Sequence, residues 1–320
     1  MTNIPLNAAN IDRILNHLSP WITSDKDETY FLEDVVDYIN NVKLVIARNN
    51  GVIPDFDDDW EIENICDYHQ AMDYFNGNKP LPILADDEER LMVVLSERGP
   101  LQGNKEGIVN NEIRVYVSIF SDKSDSRLSY IVFYYFYPYQ GKSFFPKFVP
   151  WPRKIPTSAH TADWEYIVIK IKNDDALNPL KYGLSQHGDI YWVKDPDKIK
   201  SHFPENPSDQ LRKPFYTARH VHSIYDQAGK TKLKMPIFPY FSLSVDYHRA
   251  GNILLKGGKP ILVYTKQSDL SEYVDVDTAK LLSWPSDWGF RVATSGYSTD
   301  DDDISAQKTA VSKLILSELR

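Results

Sequence analysis

Ile113-Arg114-Val115-Tyr116-Val117-Ser118-Ile119, followed by Tyr130-Ile131-Val132-Phe133-Tyr134-Tyr135-Phe136-Tyr137, is the stretch that decides the fold. In the first run Ile113, Val115, Val117 and Ile119 alternate with Arg114, Tyr116 and Ser118, a period of two that an extended strand satisfies and a helix does not. The second run is almost continuous in aromatic and β-branched residues, which suit a pleated surface. Further strands are expected at 164–172, 190–193, 215–225, 242–247 and 260–265, divided by Pro, Gly and Asn clusters. Strands with no helical pattern between them imply an α+β chain built on an antiparallel, jelly-roll-like β sandwich or a barrel, not a parallel α/β sheet.

Upstream of this region the apolar spacing is helical. Ile11, Ile14, Leu15 and Leu18 recur at intervals of three, four and seven, with Asn10 placed to cap and Pro20 to stop the helix. Phe31, Val35, Val36, Ile39 and Val42 form one stripe over 30–48, ahead of Asn49-Asn50-Gly51, and a third helix is expected at 62–75. Asp55-Phe56-Asp57-Asp58-Asp59-Trp60 superficially has the look of a calcium loop. It fails, because Trp60 stands where the sharp turn needs Gly and Cys66 where the loop needs Glu. Near the carboxyl end, Asp300 to Asp303 precede a helix expected over 304–319, at whose positive end four carboxylates are stabilised. The organisation that follows is a helical region at 1–105 packed on the sandwich, a sandwich with a metal site at 106–298, and a closing helix at 299–320, with 85–110 as the boundary segment.

Composition narrows the function classes. A chain of 320 residues suits two domains or one large one with an appendage, and 13% aromatic content excludes a disordered chain. The single cysteine, Cys66, forms no internal disulfide and supplies no thiolate metal site; on an expected helix it reads as core filler. The formal charge of −9 argues against nucleic acid as a partner. The one dense basic stretch beside aromatics, Lys142, Lys147, Arg153 and Lys154, reads as a solvated loop. The first ten residues lack the basic flank and apolar run of a secretory signal, and no segment approaches the ~20 apolar residues of a membrane span. Synthesis in the cytoplasm is expected, with any export by an unconventional route.

Glycine-rich phosphate loops, Gly-x-Ser-x-Gly elbows and His-Glu-x-x-His pairs are absent from the sequence. The chemistry is expected instead in His160-Thr161-Ala162-Asp163-Trp164-Glu165-Tyr166-Ile167-Val168-Ile169-Lys170-Ile171. In a strand, Asp163 and Glu165 share a face with Ile167, Ile169 and Ile171, which is the inner one. Two carboxylates continuing an apolar face call for a compensating cation, because an unpaired buried charge costs several kcal/mol or is neutralised. A divalent ion is the simplest solution, with His160 folding back as a further ligand. His220 and His222, alternating in Ala218-Arg219-His220-Val221-His222, would share an inward strand face, and His187 lies in a turn. Each histidine taken singly reads as a hydrogen-bonded core residue; beside paired inward carboxylates the set reads as a site.

His160-x-x-Asp163-Trp164-Glu165, followed by apolar alternation, resembles the central Gly-His-Arg-His-Asp-Trp-Glu motif of the necrosis- and ethylene-inducing-peptide-like toxins. The longer series through Tyr137-Pro138-Tyr139, Ser185-Gln186-His187-Gly188, 216–225 and Trp288-Gly289 is similar to the vacuolar protein sorting-associated family numbered sixty-two. The resemblance spans about 130–290 and leaves out the amino-terminal part. It implies a jelly-roll-like β sandwich holding a divalent ion at one end through His160, Asp163 and Glu165, beside which the toxins bind sugar heads of membrane sphingolipids before damaging the membrane. The sequence departs from the toxin motif at Ala159-His160-Thr161-Ala162, where one motif histidine is missing, near Gln140, where the toxins carry a metal-binding Asp, and in having no disulfide.

Three readings follow. One is a metal-binding module that recognises a polar lipid headgroup or glycan, as a toxin or effector, with Gln140 and Arg219 near the ligand. The metal is Ca²⁺ or Mg²⁺ if oxygen ligands dominate, and Zn²⁺ or Mn²⁺ if His187, His220 and His222 join. The second is a metal-dependent hydrolase of a phosphoester or lipid, with Glu165 or His222 as base. In the third, the site only fixes the core while Phe144, Phe145 and Trp151 engage a protein partner.

Overall fold

The computed structural model describes residues 3–28, 31–39, 42–49, 60–66, 73, 78–80, 89–95, 113–140, 160–186, 189–204, 212–234 and 242–282. Helix α1 (Ile11–Leu18) buries the four residues that define its stripe, Ile11, Ile14, Leu15 and Leu18. Each such side chain, fully removed from water, contributes about 1.5–3 kcal/mol. Asn10 precedes the helix but does not cap it: its side-chain amide donates to the Pro5 carbonyl (3.2 Å) and Asn7 Oδ1 (3.1 Å). At the other end Arg212 donates to the carbonyls of His17 (3.0 Å) and Ser19 (2.6 Å), satisfying acceptors that a helix terminus leaves open.

Two stretches expected to be helical carry strands. Among the described residues of 30–48, α2 (Val35–Ile39) is helical and β2 (Val42–Asn49) follows it; β3 (Trp60–Cys66) occupies the start of the expected third helix and contains Cys66, and most of the remainder of that helix lies outside the described residues. These strands join β4 (Glu89–Leu95), which lies inside the expected boundary segment, in an antiparallel sheet ordered β3-β2-β4. The cause is legible in the residues. Val42, Val45 and Ile46 are β-branched and stiff at χ1, and Trp60 and Ile62 alternate with Glu61 and Glu63. Among the described residues of 1–105, four strands thus stand beside the two short helices α1 and α2.

The larger sheet has six strands: β5 (Arg114–Ser121), β6 (Leu128–Gln140), β7 (His160–Lys172), β8 (Lys181–Gln186), β9 (Asp189–Val193) and β15 (Lys259–Thr265), ordered β15-β5-β6-β7-β8-β9. A four-stranded sheet contains β1 (Trp21–Asp25), β10 (Phe215–Thr217), β11 (Ile224–Tyr225) and β14 (Ala250–Lys256), in the order β11-β10-β1-β14. A ribbon of β12 (Gly229–Lys234) and β13 (Ser242–His248) stands beside them, and helices α3 (Pro196–His202) and α4 (Val276–Leu281), with short 3₁₀ helices at Ala8–Asn10 and Ser268–Tyr273, complete the described elements. The expected β-rich fold is present, but it is not wholly antiparallel: β15 runs parallel to β5, and β1 parallel to β10.

One apolar core joins the two sheets. Val115, Val117 and Ile119 of β5, Ile131, Phe133 and Tyr135 of β6, and Ile167, Ile169 and Ile171 of β7 pack in it with Ile22, Phe215, Ile224 and Leu255 of the smaller sheet. The opposite face of the larger sheet is buried too, including Tyr130, Val132, Tyr134, Phe136 and Val168. There Tyr38 meets Phe136 edge-on with ring centroids 4.8 Å apart, and the Tyr116 hydroxyl donates to Asp34 Oδ1 at 3.0 Å. Burial on both sides explains why 130–137 is nearly continuous in apolar residues instead of alternating. Among the described residues no helix is long and apolar enough to cross a membrane. The expected closing helix, the aspartate run, the basic stretch at 142–154 and the aromatics Phe144, Phe145 and Trp151 lie outside the described residues.

Candidate functional site

The β6–β7 ladder places the site. Its antiparallel register sets Phe133 opposite Ile167, Tyr135 opposite Glu165 and Tyr137 opposite Asp163, and it ends with Gln140 opposite His160. Asp163 and Glu165 therefore continue the face of Ile167, Ile169 and Ile171, as the alternation requires, and both are buried. His160 and Gln140 come to the same end of the ladder. His187 lies outside the described residues.

The segment 215–225 is not the single strand expected of it. It is a hairpin in which β10 and β11 pair Tyr216 with Tyr225 and Thr217 with Ile224, closed by a tight turn at 218–223. His220 (φ 66°) and His222 (φ 53°) both take left-handed backbone within that turn, so they do not share a strand face. Histidine is one of the few non-glycine residues that visit this region with any frequency. The turn is held by Ala218 N–H to the Ser223 carbonyl (2.9 Å), His222 N–H to the Ala218 carbonyl (2.9 Å) and Arg219 N–H to the Tyr247 carbonyl of β13 (2.7 Å).

This geometry delivers His222 to the carboxylates. Its Nδ1–H donates to Asp163 Oδ2 at 2.9 Å, its ring stacks on Tyr137 at 3.8 Å with 7° between planes, and the side chain is fully buried. On its other side Nε2 lies 3.9 Å from Glu28 Oε2, and Glu28 accepts the His220 N–H at 2.6 Å. The imidazole of His222 thus lies between the buried carboxyl groups of Asp163 and Glu28.

Glu165 has a different environment. Burial pushes its carboxyl well above the usual carboxylate range, the neighbouring charge of Asp163 adds to this, and the Ser185 hydroxyl, which donates to Glu165 Oε2, opposes it; Asp246 pushes it further up. Ser185 is itself fixed by accepting the Tyr166 N–H at 3.0 Å. The Tyr137 hydroxyl is likewise held far above its ordinary range, chiefly by burial; a hydrogen bond with Thr217 opposes this, and the nearby carboxyl groups of β7 and Glu28 add to it. Asp246 accepts the Tyr225 hydroxyl at 2.6 Å, and His248 stacks on Tyr225 at 3.9 Å.

Glu28 and Asp246 are site residues that the sequence pattern did not single out: Glu28 stands in no alternation or motif, and Asp246 falls on the polar side of its strand's alternation. Glu28 belongs to a clasp after β1, where Arg249 Nη2 donates to Asp25 Oδ1 (2.8 Å) and Asp27 Oδ2 (2.7 Å). Arg219, expected near a ligand, sits 3.9 Å from Asp27 in the same clasp. As the side chains stand, no three His, Cys, Asp or Glu of the described residues converge as a metal site. In chemical type the set of Asp163, Glu165, Glu28 and His222 still suits a hard cation: it is rich in oxygen donors, and burial, with the charge of Asp163, pushes the Glu165 carboxyl upward in the absence of one.

No protein-family profile matches the chain, and no curated protein matches it. Among solved structures, similarity is found to "NLPPya in complex with mannosamine", at 13% identity over 54% of this chain and 58% of that one, with a TM-score of 0.27. "NLPPya in complex with glucosamine" gives 14% identity over 55% and 59%, with a TM-score of 0.28. A third, titled "Toxin fold for microbial attack and plant defense", gives 15% identity over 55% and 59%, with a TM-score of 0.29. The chain spans 58–59% of the length of these proteins, and at this level of likeness the functional reading is left to the chain's own residues.

Proposed function

We propose that this chain is a binding module whose buried acidic site takes a divalent cation and, beside it, a polar lipid headgroup or glycan. The observation that carries the reading is the pairing of Asp163 with Glu165 on the inner face of β7, where burial and the charge of Asp163 drive Glu165 toward its protonated form. An oxygen-binding ion such as Ca²⁺ or Mg²⁺ would displace that proton and neutralise both groups. Asp163 and Glu165 would hold it, with Glu28 beside them and His160 at the same end of the ladder. The class of the second ligand rests on the motif resemblance of 160–165, as does the jelly-roll-like arrangement of the two sheets in this reading.

Titration calorimetry of the full chain with Ca²⁺, Mg²⁺ and Mn²⁺ tests the first step. Wild type is expected to bind one ion with release of a proton, and Asp163→Ala and Glu165→Ala to abolish binding. A wild type that takes no divalent ion, with variants that lose only stability, sinks the reading. Leakage assays on liposomes with sugar-bearing lipids then test the second step.

One observation favours a hydrolase as a second reading: a carboxyl pushed well above the usual carboxylate range by burial, as that of Glu165 is, suits a general acid. Turnover of generic phosphodiesters that disappears in Glu165→Gln would support it. Its absence from well-folded, ion-loaded protein would remove it.

A further inference from the structure

We propose that the 218–223 turn is a latch on Asp163, so that His222 and an incoming cation compete for one carboxylate and His222 sets the affinity of the site. The inference rests on the cation-binding reading above and concerns how that site opens.

Three features carry it. First, Asp163 Oδ2 already accepts a hydrogen bond at 2.9 Å from an imidazole with no solvent exposure, so an ion that takes this oxygen competes with His222 for it. Convergence of the carboxylates on an ion requires rearrangement in any case, since no three such side chains among the described residues are gathered for one.

Second, the arrangement is strained and held from outside. His220 and His222 are the non-glycine residues of the described chain with positive φ. Left-handed backbone costs a residue with a Cβ roughly 1–2 kcal/mol, less for histidine than for most. The turn persists because surrounding groups fix it: Glu28 on the His220 N–H, the Tyr247 carbonyl on the Arg219 N–H, and the face of Tyr137 against the His222 ring. Strain imposed by such contacts marks a segment with a second available state.

Third, the imidazole is only half satisfied. Nδ1 is bonded, but Nε2 is buried without a hydrogen bond, and Glu28 Oε2 lies 3.9 Å away, beyond bonding distance. An imidazole bonded through one nitrogen and merely adjacent to a carboxylate at the other loses one hydrogen bond on leaving. The groups facing it are Asp163 of β7, Tyr137 of β6 and Glu28 of the segment after β1.

The test is Mn²⁺ titration calorimetry on the full chain at one fixed pH, for wild type, His222→Asn, His220→Asn and Asp163→Ala. Asparagine tolerates left-handed backbone, so both asparagine variants keep the turn while removing an imidazole. His222→Asn is expected to bind Mn²⁺ about tenfold more tightly than wild type, the effect of losing one hydrogen bond to a charged group. His220→Asn should stay within about twofold of wild type, and Asp163→Ala should not bind. If wild type binds and His222→Asn binds equally or more weakly, the latch is wrong while the cation site stands; if neither binds, the cation site itself is wrong and the latch falls with it. A second measurement needs no variant. On saturation of wild type with diamagnetic Mg²⁺, the His222 ring protons, shielded by Tyr137, should shift toward unstacked positions, and unchanged shifts would overturn the latch.

Discussion

Replacing the two carboxylates of β7 one at a time separates the partner of His222 from the carboxyl that burial pushes upward. Asp163→Ala removes the acceptor of the His222 Nδ1–H and leaves a fully buried imidazole without its bond. Breaking one side of such a pair costs on the order of 3 kcal/mol. For a domain of this size about 6 °C of Tm should be lost. Glu165→Gln should behave otherwise. The glutamine carbonyl can still accept the Ser185 hydroxyl, and a group whose carboxyl is already pushed upward loses little by becoming an amide, so the cost at pH 7 should stay below about 1 kcal/mol. The pH dependence has a definite sign. Because the folded Glu165 is raised above its unfolded value near 4.5, its favourable contribution is present below that value and is lost as pH rises toward the folded one. Wild type should therefore lose stability relative to Glu165→Gln as pH is raised from 4.5, in urea melts of both proteins across that range. Equal destabilisation by the two substitutions, or an unchanged pH slope in Glu165→Gln, would refute the different roles given to the two carboxyls.

Other substitutions probe what holds the site in place. His202, stacked on Phe215 at 4.1 Å and bonded through Nδ1 to the Lys213 carbonyl, has its imidazole pushed down to about 4, chiefly by burial. A depressed value gives stability above pH 6.5 that is lost on acidification; linkage puts the loss at about 2 kcal/mol between pH 7 and pH 5, and His202→Phe should abolish that part of the pH slope in urea melts. Burial pushes Asp25 up, but the hydrogen bonds from Arg249 and the Asp27 N–H outweigh it and hold the carboxyl below its usual range. Asp25→Asn should cost about 2 kcal/mol at pH 7, and the difference from wild type should shrink only as pH falls below 3.8 toward the lowered folded value, as read by thermal melts. A Cβ on Gly251 would stand 2.3 Å from the Ser24 carbonyl oxygen, so Gly251→Ala should force β14 away from β1 and lower stability by about 2 kcal/mol.

The β part was legible because burial and backbone period coincide there. The residues expected inward on β5, β6 and β7 are those in the core, and Asp163 and Glu165 fall on their face by alternation alone. The amino-terminal part was misread for a physical reason: Phe31, Val35, Val36, Ile39 and Val42 satisfy a helical stripe, yet the chain leaves the helix at Ile39 and continues as a strand whose partners, β3 and β4, are distant in sequence. Pairing across that distance outweighs local pattern. His220 and His222 misled in the opposite way. Their spacing of two mimics a strand, but left-handed backbone turns them through a tight reversal that no glycine announces. Glu28 carried no signal, since its role arises from contact with a turn 192 positions away.

The parallel pairing of β15 with β5 sets a timetable for the molecule. Lys259 pairs with Arg114 and Leu262 with Val117, so one side of β5 stays open until the chain has been made well past residue 260. During synthesis the ribosome would expose a growing sheet with a bare β-branched flank, Val115 to Ile119, for the time needed to add some 140 further residues. Its closure must be a late step dominated by long-range contacts, which are slow to form. Chains that terminate before β15 would carry the complete Asp163–His222 pair and still be prone to associate through that flank. Ribosome-bound chains arrested on either side of residue 265 should therefore differ in their demand for chaperones far more than their difference in length suggests.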